Sequence, residues 1–297
     1  VTSPYMGITT EGIEIIFDGT KWTYANTSDQ AYWPTKDETL DFYAYAPYNH
    51  PSITTKTFDK ANGLTLEYTV PAEEAKQVDL MYASALEQTK PTDKNSVTLP
   101  FKHALTQVHF KVGTKTTNLK VDIAANGIQI HNLKNSGSFN TKTETWTLDA
   151  TTAAYTVTSD AVTGNYTDGT EANPYTKIGS DDKALMLLPQ GFVAGDGENT
   201  GAYLTISCKI YQVLANGETK VYLHGSESAF ADVTVGISSA ISYTEEGEQS
   251  TSEIWLRNKK VTYNLLFGAG DGVLFPIEFA TTVETWEDAD GGVIEPK

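Results

Sequence analysis

An all-β fold is predicted, and three observations carry it. Short segments of alternating apolar and polar residues recur along the chain. Gly, Pro, Asn and Asp punctuate them, and no intervening stretch shows the 3.6-residue apolar period of an amphipathic helix. Composition agrees: 16 tyrosines and 23 glycines stand against three methionines and one cysteine in 297 residues, a mixture that favours strands and turns.

GIEIIF (12–17) alternates up to the turn signal Asp18-Gly19. LDFYAYAP (40–47) ends at a proline, and LTLEYTV (64–70) stops before Pro71. EEAKQ (73–77) has room for one helical turn at most. VDLMYAS (78–84) follows, then NSVTLPF (95–101), which runs into LPFKHALTQVHFKV (99–112). In that stretch Ala104, Thr106, Val108, Phe110 and Val112 alternate with Leu105, Gln107, His109 and Lys111, so a half-buried strand is expected. His103 and His109 share its more polar face. At ~3.3 Å per residue they stand about 20 Å apart, too far to share a metal ion or to act as a catalytic pair. A structural role at the surface is expected for both.

The polar GTKTTN (113–118) suggests a domain boundary near residue 115, dividing the chain into 1–115 and 116–297, with a boundary near 150 as the alternative. Beyond it LKVDIAA (119–125), GIQIHNL (127–133), TETWTLD (143–149) and AAYTVTS (153–159) read as strands, and 159–180 as a long exposed loop. DDKALMLLPQ (181–190), AYLTISCKIYQVL (202–214), KVYLHG (220–225) and WLRNKKVTYNLLF (255–267) continue the pattern. Cys208, alone in the chain, has no partner for an intrachain disulfide and reads as a small buried hydrophobe. In GVLFPIEFATTVETW (272–286), Val273, Phe275, Ile277, Phe279 and Val283 all fall on odd positions and give an extended chain one apolar edge. Two readings stand: the segment closes its own domain as a last strand, or it fills a groove elsewhere. Pro276 places it at a sheet margin or at a change of partner.

Acidic residues outnumber basic ones 38 to 21, and the net charge of −17 repels nucleic acid and anionic lipid. No run of 18 apolar residues is present, so no membrane span is expected. GAGDGV (268–273) lacks the third glycine and following helix of a dinucleotide loop and reads as a hairpin turn. EDADGG (287–292) and GDGE (195–198) lack the spacing of a calcium loop. There is no G-x-S-x-G and no H-E-x-x-H, and His50, His131 and His224 are scattered. No catalytic residue, metal ligand or cofactor is therefore assigned. Asn26-Thr27-Ser28 and Asn165-Tyr166-Thr167 match the glycosylation sequon. Tyr24, Tyr32, Trp33, Tyr155, Tyr166 and Tyr175 are candidates for stacking on sugar rings. Arg257 is the sole arginine, which leaves few sites for an arginine-specific protease.

YWP (32–34), LDFYAYAP, DLMYA (79–83), PFKHALTQVHFKV, LMLLPQ (185–190), W-x-x-x-K-x-V-T-Y (255–263) and a terminal VETW (283–286) occur in this order along almost the whole chain. The ordered set resembles the fimbrillin family, the subunits of type V pili of Bacteroidetes. That resemblance implies two transthyretin-like β-sandwich domains in tandem, without enzymatic activity. It implies export as a lipoprotein to the cell surface, where an arginine-specific protease removes an N-terminal strand. A strand from the C-terminal region of a neighbouring pilin subunit then fills the groove. On that analogy Val273, Phe275, Ile277, Phe279 and Val283 are candidate donor-strand anchors in a homopolymer. A tip adhesin or glycan-binding surface protein of the same fold is the alternative. The sequence starts at Val1 without a lipobox cysteine or leading strand, as expected of a matured or truncated chain.

Overall fold

The structure, a computed structural model, describes residues 12–34, 38–90, 97–180, 184–195, 201–245, 248–268 and 278–285. Strands dominate these residues, as the alternation predicts. Two single-turn 3-10 helices, Thr27–Asp29 and Glu74–Lys76, accompany them. The second falls on EEAKQ. The first is capped by Asn26, whose side-chain oxygen accepts from the Ser28 N–H at 3.1 Å.

Two pairs of sheets face one another. In the first pair a four-stranded sheet runs in the order Thr145–Leu148, Ser136–Asn140, Gly63–Thr69, Ile53–Asp59. It faces a three-stranded sheet of Leu40–Ala46, Met81–Gln88 and Lys102–His103. The rings of Tyr82 and Phe139 meet edge to face at 4.7 Å between them, above the fully buried Leu66. In the second pair Leu119–Lys134 and Ala202–Val213 form the centre of a six-stranded sheet, flanked by Thr152–Thr156 and Val162–Gly164 on one side and Lys220–His224 and Ala231–Ile237 on the other. It covers a five-stranded sheet in which Thr176–Ile178 and Leu185–Leu187 flank Thr106–Thr114, followed by Lys259–Phe267 and Glu278–Thr285. Val121, Ile130, Leu204 and Ile206 from one sheet and Val108, Val112, Val261 and Leu265 from the other are fully buried. The two sheets approach closely at Gly164, where a methyl group would lie 2.7 Å from Val121 and 2.9 Å from Val112.

Several expected elements differ from those observed. LKVDIAA and GIQIHNL form one 16-residue strand, not two. Asn126 adopts φ 52°, and the register of the neighbouring strand shifts between Ile206 and Cys208, so the apparent break is a β-bulge absorbed within the sheet. The expected loop 159–180 contains the short strands Val162–Gly164 and Thr176–Ile178. Ile53–Asp59 and the hairpin of Ile241–Glu245 and Glu248–Ser252 are further strands whose many Thr, Ser and Glu residues hide the alternation. Hydrogen bonding crosses residue 115 in both directions: Gly63–Thr69 pairs with Ser136–Asn140, and Thr106–Thr114 with Lys259–Phe267. It also crosses residue 150, because Thr152–Thr156 pairs with Leu119–Lys134. The sheets follow neither expected boundary, since a single residue, Asn135, carries the chain from one sheet pair to the other.

LPFKHALTQVHFKV is likewise shared between the two pairs. The strand breaks at Ala104 and Leu105, and three of the corner's backbone groups are engaged. The Ala104 N–H donates to the Leu80 carbonyl at 2.8 Å and Trp146 Nε1 donates to the Ala104 carbonyl at 2.9 Å, while the Leu105 carbonyl accepts from the Asn258 N–H at 3.0 Å. A charged cluster binds the same corner. One Glu144 oxygen accepts from Lys102 Nζ at 3.0 Å and the other from the Arg257 guanidinium, which lies 5.7 Å from the centre of the Tyr82 ring. Glu144 ends the turn 141–144 with φ 57°. Burial alone would raise its carboxyl, but Lys102 and Arg257 outweigh burial and hold it below the ordinary glutamate range.

Two expectations follow from this packing. Phe139→Ala opens a cavity between Tyr82 and Trp146 and is expected to cost about 3–5 kcal/mol in denaturant unfolding. The depressed Glu144 carboxyl contributes stability that is fully present well above the unfolded value of about 4.3 and is lost as pH falls through the folded value. Glu144→Gln should therefore lower the thermal midpoint at neutral pH, and its gap from the parent should close on acidification below about pH 4. A gap of constant size across that range would count against the cluster.

Candidate functional site

The site is built on the margin of the five-stranded sheet. WLRNKKVTYNLLF places Trp255, Val261, Tyr263, Leu265 and Phe267 on alternate positions, and all are fully or nearly fully buried. Thr262 and Asn264 on the opposite face are also buried, so Lys259–Phe267 is a central strand covered on both sides. Tyr263 locks it in place: its hydroxyl donates to the Ser238 carbonyl at 2.8 Å and accepts from Trp255 Nε1 at 3.0 Å. Burial pushes that phenol far above its ordinary range, so it stays protonated. The ring of Phe110 stacks on Tyr263 at 5.7 Å.

One side of Lys259–Phe267 is paired in parallel with Thr106–Thr114, Val261 lying opposite Val108 and Leu265 opposite Val112. The other side is paired antiparallel with Glu278–Thr285, the only strand hydrogen-bonded to that side among the described residues. Its register sets Phe279 opposite Leu265, Thr281 opposite Tyr263, Val283 opposite Val261 and Glu284 opposite Lys260. Directly opposed residues share a face of a sheet, so Phe279 and Val283 hold register positions on the face of the buried Leu265 and Val261. Glu278–Thr285 has no second hydrogen-bonded strand among the described residues, and the 241–245 strand lies alongside it. Val273, Phe275, Pro276 and Ile277 lie outside the described residues, as do GAGDGV beyond Gly268 and EDADGG.

The histidines do not converge. His103 is buried, not at the surface as expected, with Nδ1 2.6 Å from the Asp79 carboxylate. It belongs to the three-stranded sheet and His109 to the five-stranded one. His131 stacks on Tyr203 with ring centres 4.5 Å apart, and burial lowers its pKa. Among the described residues no group of three His, Cys, Asp or Glu side chains is placed to hold a metal ion. Cys208 is fully buried, and burial, with the nearby Asp232, pushes its thiol up to about 12.

Of the aromatic candidates for sugar stacking, Tyr155 is wholly buried in the core and offers no ring face to a sugar. Tyr32 is the most exposed, at 68%, and Trp33 leans on Phe42 with ring centres 5.7 Å apart. Sequence reasoning missed a group of lysines. Lys111, Lys177 and Lys260 line one cleft with His109 on the outer face of the five-stranded sheet. The alternation around His109 and Lys111 was the only signal, because the other two lysines come from distant segments.

A family model described as fimbrillin-like matches residues 5–286. Fimbrium subunit Fim1C of Phocaeicola vulgatus is 28% identical over 194 residues, which make up 56% of this chain and 49% of that protein. The chain thus spans about half the length of the curated relative it matches. The crystal structure of a fimbrial protein from Bacteroides vulgatus aligns with TM-score 0.62 at 18% identity, covering 93% of this chain and 85% of that one. At that identity the likeness is one of fold.

Proposed function

The chain belongs to the fimbrillin-like family, and on that premise we propose that it is a non-enzymatic structural subunit of a cell-surface fimbria, assembled by strand exchange between neighbouring copies. Export as a lipoprotein through the outer membrane belongs to the same reading. The observation that carries it is the sheet margin: among the described residues Glu278–Thr285 is hydrogen-bonded to one strand, Lys259–Phe267, through an eight-residue antiparallel ladder. The same segment of another molecule would form the same ladder. Without any such strand, a row of backbone donors and acceptors beside Val261 and Leu265 would be left open, a costly state.

Val273, Phe275, Ile277, Phe279 and Val283 are the anchors of the exchanged segment, with main-chain bonds giving affinity and alternate side chains giving specificity. At ~1.5–3 kcal/mol per buried side chain they supply on the order of 10 kcal/mol before ordering costs. The contact is head to tail and need not close into a ring, so it propagates as a filament.

Removing residues 273–297 tests the assignment. The shortened chain is expected to make no fibres in electron micrographs and to bind an added peptide spanning 273–290. Fibres in undiminished yield would contradict the reading. A shortened chain that stays unfolded even with the peptide would assign the segment to its own molecule.

A further inference from the structure

The hairpin of Ile241–Glu245 and Glu248–Ser252 belongs to neither sheet pair: its strands are paired with each other and with no other strand among the described residues. It spans a seam between two sheets. Ala231–Ile237, which leads into it, is paired with Ala202–Val213 in the six-stranded sheet, and Lys259–Phe267, which follows it, belongs to the five-stranded one. Its feet are tied down. Ser239, fully buried, donates its hydroxyl to the Glu253 carbonyl at 2.6 Å and accepts from the Phe192 N–H at 2.8 Å, and the Ser252 hydroxyl donates to the Ile254 carbonyl at 2.8 Å. Ile241 is buried, and Tyr243, on the same face of the strand, packs against the core. Ser242 and Thr244 on the opposite face are exposed. The Lys259 ammonium lies 5.1 Å from the centre of the Tyr243 ring, and the register partner of Lys259 is Thr285. Ile241–Glu245 lies alongside Glu278–Thr285 with no ladder between them.

We propose that this hairpin is a strap over the strand seated beside Lys259–Phe267, and that the strand enters and leaves its ladder only when the strap lifts. The inference rests on the strand-exchange reading for the owner of that strand, a neighbouring copy of this chain. The strap itself acts on the strand whichever copy supplies it. Three features point to a strap and not to a further member of the sheet. No main-chain ladder joins hairpin and strand, so lifting the one breaks no ladder of the other. The hairpin is held down by the side chains of Ile241 and Tyr243, whose packing separates without any loss of backbone pairing in the large sheets. Its two feet are bonded to each other through Ser239 and Glu253, so the hairpin moves as a unit while Trp255 keeps its bond to Tyr263. A two-stranded hairpin has little stability of its own, so the closed position depends on that packing. Lifting it is a local opening that costs less than unfolding the sandwich. A strap of this kind slows entry and release of the strand alike.

Two variants of the full chain test it. Y243A removes the packing anchor, and a cut-back chain has residues 242–251 replaced by Asn-Gly, a turn that the opposed pair Ile241 and Ser252 can close. Amide hydrogen exchange of Glu278–Thr285 before assembly reads the strap directly. It is expected to be roughly tenfold faster in both variants, with exchange of Ala202–Val213, at the centre of the six-stranded sheet, unchanged. Equal acceleration of both strands would mean a general loss of stability and would overturn the proposal. Parental exchange of Glu278–Thr285 in the variants would overturn it as well. If the cut-back chain does not fold, Y243A alone decides. Fibres give the second readout: growth from monomers and release on dilution should both quicken in the variants, as lowering a barrier requires. Faster release without faster growth would assign the hairpin a supporting role only and overturn the strap. Failure of the parent to form exchanged fibres would remove the strand-exchange reading, and the exchange of Glu278–Thr285 would then decide the strap on the strand of its own molecule.

Discussion

Strand Lys259–Phe267 must have a neighbour on each side, and the structure depends on that requirement more than on any other. It lies at the centre of a sheet, covered on both faces, with Val261 and Leu265 inaccessible to solvent. A backbone donor or acceptor left unpaired in such a place costs about 1–3 kcal/mol. Thr106–Thr114 closes one side permanently, since it is itself enclosed by Thr176–Ile178 and Leu185–Leu187. The other side is closed by Glu278–Thr285, which has no second strand partner among the described residues. On the proposed reading the demand is fixed while the supplier is exchangeable, and that asymmetry would be the physical basis for polymerisation.

Lys259–Phe267 is tied to its surroundings by several contacts. Tyr263 fixes it to Ser238 and Trp255, and Arg257 ties its start to Glu144 and Lys102 in the other pair of sheets. The Asn258 N–H bonds to Leu105 at the corner between the pairs. An edge ordered before association loses little conformational freedom when a strand arrives, so more of the burial energy appears as affinity. The same ties link the two sheet pairs.

The sequence made the fold class legible wherever alternation ran unbroken, as in Thr106–Thr114 and Ala202–Val213. It misled where a sheet absorbs an irregularity: Ala124 to Gly127 looks like a turn and is a bulge in a continuous strand. Edge strands such as Ile53–Asp59 escaped notice because Thr and Lys fill their solvent positions. The burial of His103 depends on Asp79, which lies 24 residues earlier in the chain, and no local pattern announces that partner. The lysine cleft likewise draws on three remote segments. The apolar edge from Val273 to Val283 was visible in the sequence, but a one-dimensional pattern does not say which ladder receives it. The register of Glu278–Thr285 on Lys259–Phe267 supplies that address for Phe279 and Val283.

The most direct measurement uses the opposed pair Thr262 and Thr282. Chains carrying T262C/T282C are prepared with natural and heavy isotopes, mixed as monomers, assembled, oxidised and digested for mass spectrometry. Strand exchange predicts cross-linked peptides that join a light half to a heavy half in the fibre. Fibres that yield only light–light and heavy–heavy pairs would show each strand at home in its own molecule and would contradict the account.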